Sequence, residues 1–363
     1  MKIVCYINKL AGGGAERVMS VLASGLAQRG HCVTIVVGNS VSDEYPLDEQ
    51  VERVTLDQGS VPTSKKGAVI RTWRRLRKLR RICRERDADI LVSFIRDANL
   101  RGILATRLSK TKSLISVRID PKIGYRKRSA KLLAKFVYPM AEGCVFQTED
   151  AQAWFAPKIQ KKSRVIFNPI SDAFYSVEPA AMQEKRIVTC GRLDSQKRFD
   201  LLIDAFDKVC DDFPEYKLEI YGVGGEQNAL QAQIDKLGRP DRIFLMGRSQ
   251  DVPNAIKTAS LFVLSSDYEG LPNALMEAMV LHLPVISTDC GGGGARALIE
   301  DGIDGIIVPC GDAEALANAI RESLSDSEAA KQRGEMAGMK AKHFSVESIV
   351  AQWEAYITDI VNN

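Results

Sequence analysis

Short apolar runs alternate with longer segments of mixed polarity along the whole chain. Runs of about five apolar and β-branched residues are typical of strands that are buried on both faces. Strands that alternate with helical segments predict an α/β protein with parallel sheets. The predicted strands are 3–7, 33–37, 54–56, 90–94, 113–117 and 144–146, then 187–190, 218–221, 243–246, 261–265, 285–287 and 306–308.

The same pattern divides the chain into domains. Its 363 residues are enough for two domains, and residues 168–184, which lack a clear period and contain two prolines, are interpreted as the linker. We predict two Rossmann-like parallel-sheet domains, 1–168 and 169–345, that face each other across a cleft. Residues 346–363 carry apolar side chains at helical spacing and are predicted to form a final amphipathic helix.

Charge is distributed unevenly along the chain. The formal net charge is +4, but residues 1–170 carry 32 Lys and Arg against 15 Asp and Glu, which leaves −13 on the rest. A basic half predicts an anionic partner. The eight cysteines occur singly, as expected of reduced thiols in the cytoplasm. No apolar run has the length of a transmembrane helix, so any membrane contact is predicted to be peripheral.

The segment 267–278 carries the clearest candidate chemistry. It lies between two predicted strands, so its loop is expected at the carboxyl edge of a parallel sheet, where ligands bind. Pro272 is predicted to occupy the first position of a helix. Glu277 then lies about one turn inside that helix, beside N–H groups that attract phosphate. A carboxylate there suits a ribose, because it can accept protons from both hydroxyl groups.

Two cations follow the first predicted strand of the second domain. Arg192 and Lys197 lie on a short loop, where they can hold a diphosphate and stabilise it as a leaving group. Taken alone, they would be interpreted as ordinary surface charges. Glu277 on a neighbouring loop favours the diphosphate instead.

Two glycine-rich loops follow predicted strands. Gly13 and Gly14 open the first helix, and residues 291–294 follow the strand at 285–287. Glycine lets the backbone approach a phosphate or a sugar closely, although a tight turn or a flexible loop is the plainer alternative. Neither loop is a P-loop, and the first is a poor dinucleotide fingerprint because no acid ends the second strand.

The segment 71–86 predicts a strongly basic helix with apolar residues at helical spacing. So many like charges favour an anionic ligand, either a membrane surface or phosphate groups, over a solvated face. Nucleic acid is the competing ligand, but Trp73 is the one aromatic residue in the segment that could stack on a base. The candidate acceptor or membrane contacts are Arg74, Arg75, Arg77, Lys78 and Arg81.

No metal site or cofactor is predicted. The three histidines lie away from the predicted carboxyl edges, and the pair Asp87 and Asp89 precedes a strand and is interpreted as a connector. Charge on a diphosphate would therefore be neutralised by Arg192, Lys197 and helix ends.

Four motifs, in this order and spacing, resemble those of the retaining glycosyltransferases of family 4, which have the GT-B fold. The resemblance covers essentially the whole chain. It rests on Gly13-Gly14-Ala15-Glu16, on Gly191-Arg192-Leu193 with Lys197, on Ser266-x-x-Glu269-Gly270 through Glu277, and on Asp301-Gly302-x-x-Gly305 with Val308-Pro309.

The resemblance implies a nucleotide-sugar site in the second domain. Glu277 would hold the ribose hydroxyl groups, and Arg192 with Lys197 would hold the diphosphate. Glu269 and the loop 292–294 would contact the donor sugar. The implied catalytic residues are Glu269, Arg192, Lys197 and Arg118. The implied donor-binding residues are Glu277, Gly13, Gly14, Gly247, Arg248, Gly270, Leu271, Pro272, Asn273, Gly292, Gly293 and Gly294.

The resemblance also implies the partners and the reaction. The first domain would bind the acceptor, the final helix would cross back onto it, and transfer would proceed with retention and without a metal. Many relatives carry a histidine where this chain has Arg118, in a Ser-Val-Arg-x-Asp-Pro segment similar to that of relatives that build surface polysaccharides on lipid diphosphates. As a permanent cation, Arg118 cannot act as a base, but it could stabilise charge on the leaving or attacking group.

The expected reaction is therefore transfer of a hexose or N-acetylhexosamine from UDP to an undecaprenyl-diphosphate-linked saccharide, for a surface polysaccharide such as the O-antigen of lipopolysaccharide. The enzyme would be peripheral on the cytoplasmic face of the inner membrane. The alternatives are another enzyme of the same fold, such as an epimerase or a phosphorylase, and a nucleic-acid-binding protein that uses its basic helices. A nicotinamide dehydrogenase is disfavoured because the fingerprint fails.

Overall fold

The computed structural model describes residues 1–57, 65–180 and 182–363. Contacts group the chain into two compact units. Unit 1 is formed by Met1–Pro169 with Val346–Asn363, and unit 2 by Ile170–Ser345. Each unit contains a parallel β-sheet with helices between the strands. The predicted α/β class with two Rossmann-like domains is confirmed.

The described part of unit 1 contains a seven-stranded sheet. Its strands are β1 Lys2–Ile7, β2 Cys32–Asn39, β3 Glu52–Asp57, β4 Ile90–Phe94, β5 Lys112–Ser116, β6 Gly143–Phe146 and β7 Ser163–Val165. They lie in the order β3-β2-β1-β4-β5-β6-β7, and every neighbouring pair is parallel.

The described part of unit 2 contains a six-stranded sheet. Its strands are β8 Glu184–Cys190, β9 Lys217–Tyr221, β10 Ile243–Gly247, β11 Ala259–Leu264, β12 Val285–Thr288 and β13 Ile306–Val308. They lie in the order β10-β9-β8-β11-β12-β13, again all parallel. The loops that follow β8, β11 and β12 therefore emerge side by side at the carboxyl edge of this sheet.

Helices connect the strands in both units. Those of unit 1 before the linker are α1 Gly14–Gln28, α2 Lys65–Glu85, α3 Arg96–Thr106, α4 Pro121–Gly124, α5 Arg128–Phe136, α6 Glu149–Ala153 and α7 Pro157–Gln160. Those of unit 2 are α8 Asp172–Tyr175, α9 Phe199–Asp207, α10 Gln227–Leu237, α11 Val252–Ile256, α12 Asn273–Val280, α13 Gly294–Leu298, α14 Ala313–Ser325 and α15 Ser327–Ala341. The chain ends with α16 Val346–Asn362.

The sequence pattern missed strand β7 in the described residues and found the others. This strand has three residues, with the exposed Arg164 in the middle, so it contains no apolar run. The predicted linker, 168–184, includes the short helix α8. Residue 181 of that segment lies outside the described residues.

The final helix packs on unit 1, as predicted. Trp353 of α16 is fully buried, and its ring centroid lies 5.4 Å from that of Phe94 at the end of β4. Val350 lies so close to α1 that a Cβ added to Gly25 would come within 2.6 Å of it. Among the described residues, no helix combines the length and the apolar composition needed to cross a bilayer.

Candidate functional site

An ion pair stands at the carboxyl edge of the unit 2 sheet. Lys197 Nζ donates to Glu269 Oε1 over 2.6 Å, and the two side chains are only 15 % and 10 % exposed. Ser266 Oγ donates to the same carboxylate oxygen over 2.8 Å. This nearly buried ion pair therefore joins the loop after β8 to the loop after β11. Hydrogen bonds from Lys197 and Ser266 fix the position of the Glu269 carboxylate.

The glycine-rich loop after β12 lies against the loop that carries Glu269. The backbone N–H of Glu269 donates to the carbonyl of Gly291 over 2.9 Å, and Gly291 donates to the carbonyl of Asp267 over 3.1 Å. A Cβ added to Gly294 would lie 2.8 Å from the Gly270 carbonyl oxygen, so this close approach requires glycine. The structure thus brings the predicted sugar-contacting loop, with Gly292 and Gly293, next to the ion pair.

Helix α12 begins one residue later than predicted. Pro272 precedes the helix as its N-cap residue instead of occupying the first helical position, and its backbone is extended. Leu271 is buried, and the first helical residue is Asn273. The reason is local, because Pro272 and Gly270 pack against Gly294 of the neighbouring loop. Tertiary contact overrides the helical preference of proline.

Glu277 lies on α12 and is nearly buried, with 8 % of its surface exposed. The negative charge of its carboxylate interacts electrostatically with the thiol of Cys190, the last residue of β8. Burial is the main cause that raises the pKa of Cys190, Glu277 raises it further, and Lys197 lowers it. Glu277 and Lys197 therefore act electrostatically on one side chain at the end of one strand, which places the predicted ribose carboxylate and the predicted diphosphate cation in one neighbourhood.

Arg192 lies on the same loop as Lys197 but is far more exposed. Its side chain is 68 % exposed and its Nη2 lies 3.3 Å from Asp194 Oδ2, a pair that solvent screens. Two glycines that the sequence analysis missed fix the loop. A Cβ added to Gly222 would lie 1.7 Å from the Gly191 carbonyl oxygen, and one added to Gly224 would lie 2.2 Å from that of Leu193.

The loop with Gly247 and Arg248, which the resemblance implies in donor binding, is tied to this arrangement. The carbonyl of Gly247 accepts from the N–H of Gly222 over 2.8 Å, and Gly247 has a positive φ of 70°. Arg248 next to it is exposed. The loops after β8, β9 and β10 are thus held together by backbone contacts at one edge of the sheet.

The remaining predicted residues lie in unit 1. Gly13 is the N-cap of α1 and Gly14 its first residue, as expected for a strand-to-helix loop. A Cβ added to Gly13 would lie 2.4 Å from Glu16 Oε2, and Glu16 is buried. This loop therefore carries a carboxylate close to its backbone.

Arg118 follows β5 and is held by neutral groups. Its guanidinium stacks on the ring of Phe94, 4.4 Å from the centroid, and donates to Asn168 Oδ1 and, over 3.3 Å, to Ser116 Oγ. Burial lowers the pKa of Arg118 to about 9. In the described residues, no carboxylate pairs with it, so the side chain is a desolvated cation.

Helix α2 has two different basic faces. Arg75 is buried, with its Nε 2.8 Å from Asp57 Oδ2. The turn of the helix directs Arg75, one of the predicted acceptor or membrane contacts, onto the ends of β2 and β3 and away from the exposed face of α2. Lys78 donates to the Leu56 carbonyl over 2.5 Å.

The outer face of α2 is a groove of about 620 Å³ that combines apolar and cationic side chains. Trp73 is 60 % exposed, although its spacing along the helix matches that of buried residues. The lining residues are Val69, Ile70, Trp73, Arg74, Arg77, Lys78 and Arg81. We call this surface the α2 groove.

In residues 1–57, 65–180 and 182–363, no group of three or more His, Cys, Asp or Glu side chains is placed to hold a metal ion. Asp87 and Asp89 lie between α2 and β4 and bond Lys2, at the amino end of β1. This is the connector role predicted for them.

Two family models match the chain. The model described as "Glycosyl transferases group 1" matches residues 172–338, and the model described as "Glycosyltransferase Family 4" matches residues 12–174. Together they account for most of both units.

Relatives of known name are similar over their full length. An α-1,4-N-acetyl-D-galactosaminyltransferase of Campylobacter jejuni, named for an undecaprenol-diphosphate-linked acceptor, is 27 % identical and the match covers 100 % of this chain and 99 % of that protein. The amylovoran biosynthesis glycosyltransferase AmsD of Erwinia amylovora is 24 % identical, with 99 % of each chain covered. The crystal structure of Anabaena HepE with UDP and glucose has a TM-score of 0.80 at 19 % identity, covering 99 % of this chain and 100 % of that one.

Proposed function

The chain belongs to glycosyltransferase family 4, with the GT-B fold, and we propose that it transfers a hexose or N-acetylhexosamine from UDP to a saccharide on undecaprenyl diphosphate. The configuration at the anomeric carbon would be retained. The acceptor would lie at the cytoplasmic face of the inner membrane, and the product would serve a bacterial surface polysaccharide such as an O-antigen.

One observation carries this proposal. The ion pair of Lys197 and Glu269, the carboxylate of Glu277 and the glycine-rich loop 291–294 meet at the ends of three adjacent parallel strands of unit 2. A nucleotide-sugar needs this combination: a carboxylate for its diol, cations for its diphosphate and an open backbone for its sugar. The named C. jejuni relative supports the lipid-linked acceptor, and UDP in HepE supports the choice of donor.

The chemistry follows from where charge develops. As the bond from the anomeric carbon to the diphosphate breaks, the oxygen of an acceptor hydroxyl bonds to that carbon, its proton passes to the departing UDP or to water, and the UDP gains negative charge. Glu269 holds Lys197 in a position to stabilise this charge. The exposed Arg192 is able to move onto the diphosphate. Fixed cations that meet developing charge stabilise the transition state, so we propose that the reaction requires no metal or cofactor.

Arg118 would have a related role in unit 1. Its cation is desolvated and has neutral partners, so a nearby anionic group would gain more from it than from an exposed arginine. We assign it to the charge that develops on the leaving or attacking group. The glycine loop with Gly13 and Gly14 would approach the donor or acceptor through its backbone.

The α2 groove would hold unit 1 on the anionic bilayer. Exposed Trp and aliphatic side chains next to arginines suit the interface of a membrane, where apolar groups insert and cations meet lipid headgroups. The net charge of +17 on residues 1–170 adds a longer-range attraction.

Changing Arg74, Arg77 and Arg81 together to Gln is expected to weaken binding to vesicles of anionic lipid by about two orders of magnitude, since each basic residue near such a surface contributes about 1 kcal/mol. Co-sedimentation with vesicles measures this binding. The control replaces the exposed Lys158, Lys236 and Lys331 by Gln, which removes the same charge elsewhere. If both triple variants lost the same amount of vesicle binding, the effect would be due to net charge alone, and the α2 groove would be excluded as the membrane-binding surface.

The reaction itself is tested with a panel of nucleotide-sugars and an undecaprenyl-diphosphate-linked saccharide. We expect UDP release with one UDP-hexose or UDP-N-acetylhexosamine and little with GDP-mannose, and a product whose anomeric configuration, read by NMR coupling constants, matches that of the donor. Inversion at that carbon would refute the retaining mechanism, and transfer exclusively to acceptors without a lipid would refute the acceptor class.

A further inference from the structure

Arg198 has a left-handed backbone conformation, which is uncommon for a residue that carries a Cβ. Its φ is 50° and its ψ is 42°, and it precedes helix α9 as the N-cap residue. Glycine adopts this conformation at less cost than arginine. The side chain of Arg198 makes no capping hydrogen bond, and a cation is unfavourable at the amino end of a helix. The start of α9 therefore does not explain an arginine at this position.

The guanidinium of Arg198 lies between two carboxylates. Its Nε donates to Asp200 Oδ1 in the first turn of α9 over 3.1 Å, and its Nη1 donates to Asp267 Oδ1 on the loop after β11 over 3.1 Å. The side chains of Asp200 and Asp267 are 49 % and 42 % exposed, so solvent screens both ion pairs and they add little to stability. The ion pair with Asp267 nevertheless connects the loop after β8 to the loop after β11.

The residues before Arg198 also bind the loop after β11. The carbonyl of Gln196 accepts from the N–H of Asp267 over 2.9 Å, and the Nε2 of Gln196 donates to a backbone carbonyl of the same loop over 2.8 Å. Ser265 Oγ donates to the carbonyl of Lys197 over 2.8 Å. These bonds hold the main chain before and at Lys197, and the ion pair of Arg198 holds the chain that follows it.

Asp267 is itself fixed by the neighbouring loops. Its carbonyl accepts from the N–H of Gly291 over 3.1 Å and from Cys310 Sγ over 3.4 Å. An ion pair to Asp267 therefore fastens Arg198 to a point that is held by the loops after β12 and β13. The same loop carries Glu269, two residues further along the chain.

We propose that Arg198 is a positioning residue whose ion pair with Asp267 holds the Lys197 ammonium group beside the departing diphosphate. The stem of a lysine side chain is flexible, so the position of its Nζ depends on how firmly the backbone is held on both sides. A displacement of about 1 Å is enough to lower the rate of a reaction strongly. The inference rests on the proposed function, which places a departing diphosphate beside Lys197.

Arg198→Gly separates this role from folding. Glycine relieves the left-handed strain while the ion pairs are lost, so the free energy of unfolding in denaturant should change little. We expect kcat to fall about tenfold to a hundredfold, while KM for the nucleotide-sugar changes less than about threefold because the predicted ribose contact is intact. A loss of kcat that merely follows a loss of stability would make Arg198 a residue of the fold and overturn the proposal.

Arg239→Gln is the matched control. Arg239 also bridges two aspartates of unit 2, with its Nε 2.9 Å from Asp207 Oδ1 and its Nη1 2.7 Å from Asp211 Oδ1. It precedes β10 and therefore lies at the amino edge of the sheet, opposite the candidate site. This variant should leave both kcat and KM unchanged, and a loss of kcat as large as that of Arg198→Gly would contradict the assignment.

A double variant shows whether Arg198 acts through Lys197. In Lys197→Met the ammonium group is already absent, so adding Arg198→Gly should lower kcat by less than a further factor of about two. The same loss of kcat in both backgrounds would mean that Arg198 acts independently of Lys197, and the positioning role would be refuted.

Binding of UDP, measured by calorimetry, distinguishes a failure of this inference from a failure of the proposed function. UDP carries on its terminal phosphate the charge that the departing diphosphate gains, and UMP lacks that phosphate. Arg198→Gly should bind UDP about tenfold more weakly than Arg239→Gln does, and the two variants should bind UMP equally well. This result in a protein that transfers no sugar would support the positioning role and reject the transferase alone. Equal UDP affinities, in a protein that does transfer sugar, would refute the positioning role and leave the transferase intact.

Discussion

Replacing Glu277 by alanine is expected to lower kcat/KM for the nucleotide-sugar by at least about 100-fold. Two hydrogen bonds from the ribose hydroxyl groups to a nearly buried carboxylate would be lost, and each hydrogen bond to a charged group contributes about 1.5–3 kcal/mol. The rate of UDP release at increasing donor concentration measures the loss. Glu328→Ala removes an exposed carboxylate from the first turn of α15 and should leave the rate unchanged.

A modified donor tests the contact without relying on the stability of the variant. A 2′-deoxyribose analogue of the UDP-sugar should be a poor substrate of the native enzyme, because one of the two hydroxyl groups is missing. In Glu277→Gln, the difference between the normal and the 2′-deoxy donor should shrink markedly. A difference of the same size in both proteins would mean that Glu277 does not contact the ribose.

Replacing Lys197 by methionine is expected to lower kcat by about 10²–10³-fold, the usual loss when one fixed donor to a developing negative charge is removed. The same change leaves the Glu269 carboxylate nearly buried without its cation, and breaking such a pair costs up to about 3–5 kcal/mol of stability. Steady-state kinetics and denaturant unfolding measure the two effects separately.

The double variant Lys197→Met with Glu269→Gln distinguishes catalysis from folding. It removes both charges, so the stability lost in Lys197→Met should largely return, while kcat should stay low. Recovery of kcat together with stability would mean that the pair serves the fold of the loop and not the departing diphosphate. Exposed Lys185, which lies 3.8 Å from Glu215, provides the control, and Lys185→Met should alter neither quantity greatly.

The strands of both sheets could be predicted because buried parallel strands form short apolar runs, such as 90–94 and 261–265. The positions of Glu269 and Glu277 followed in turn, since a loop between two predicted parallel strands must lie at the carboxyl edge. Strand β7 was not predicted, because it has only three residues with an exposed arginine in the middle and so contains no apolar run.

Pairings between distant parts of the sequence could not be predicted. Lys197 and Glu269 lie on different loops, and their contact depends on β8 and β11 being neighbours in the sheet. For the same reason the burial of Arg75 against Asp57 was missed. The exposure of Trp73 could not be predicted either, because its helical spacing matches that of buried residues and its side chain is nevertheless 60 % exposed.

Glycines required by contacts between loops could not be predicted from the sequence either. The loops 12–14 and 291–294 were singled out by their composition, whereas Gly222 and Gly224 were overlooked because a carbonyl of another loop is what excludes a side chain there. Ser266 belongs to one of the family motifs, but its hydrogen bond to Glu269 could not be predicted from the sequence.

A crystal structure of this protein with UDP tests the position of the nucleotide most directly. We predict that the Glu277 carboxylate accepts hydrogen bonds of about 2.6–3.2 Å from both ribose hydroxyl groups, and that the diphosphate lies within reach of Arg192 and Lys197. UDP bound away from the ends of β8 and β11, or with its ribose turned from Glu277, would contradict the donor site described for unit 2.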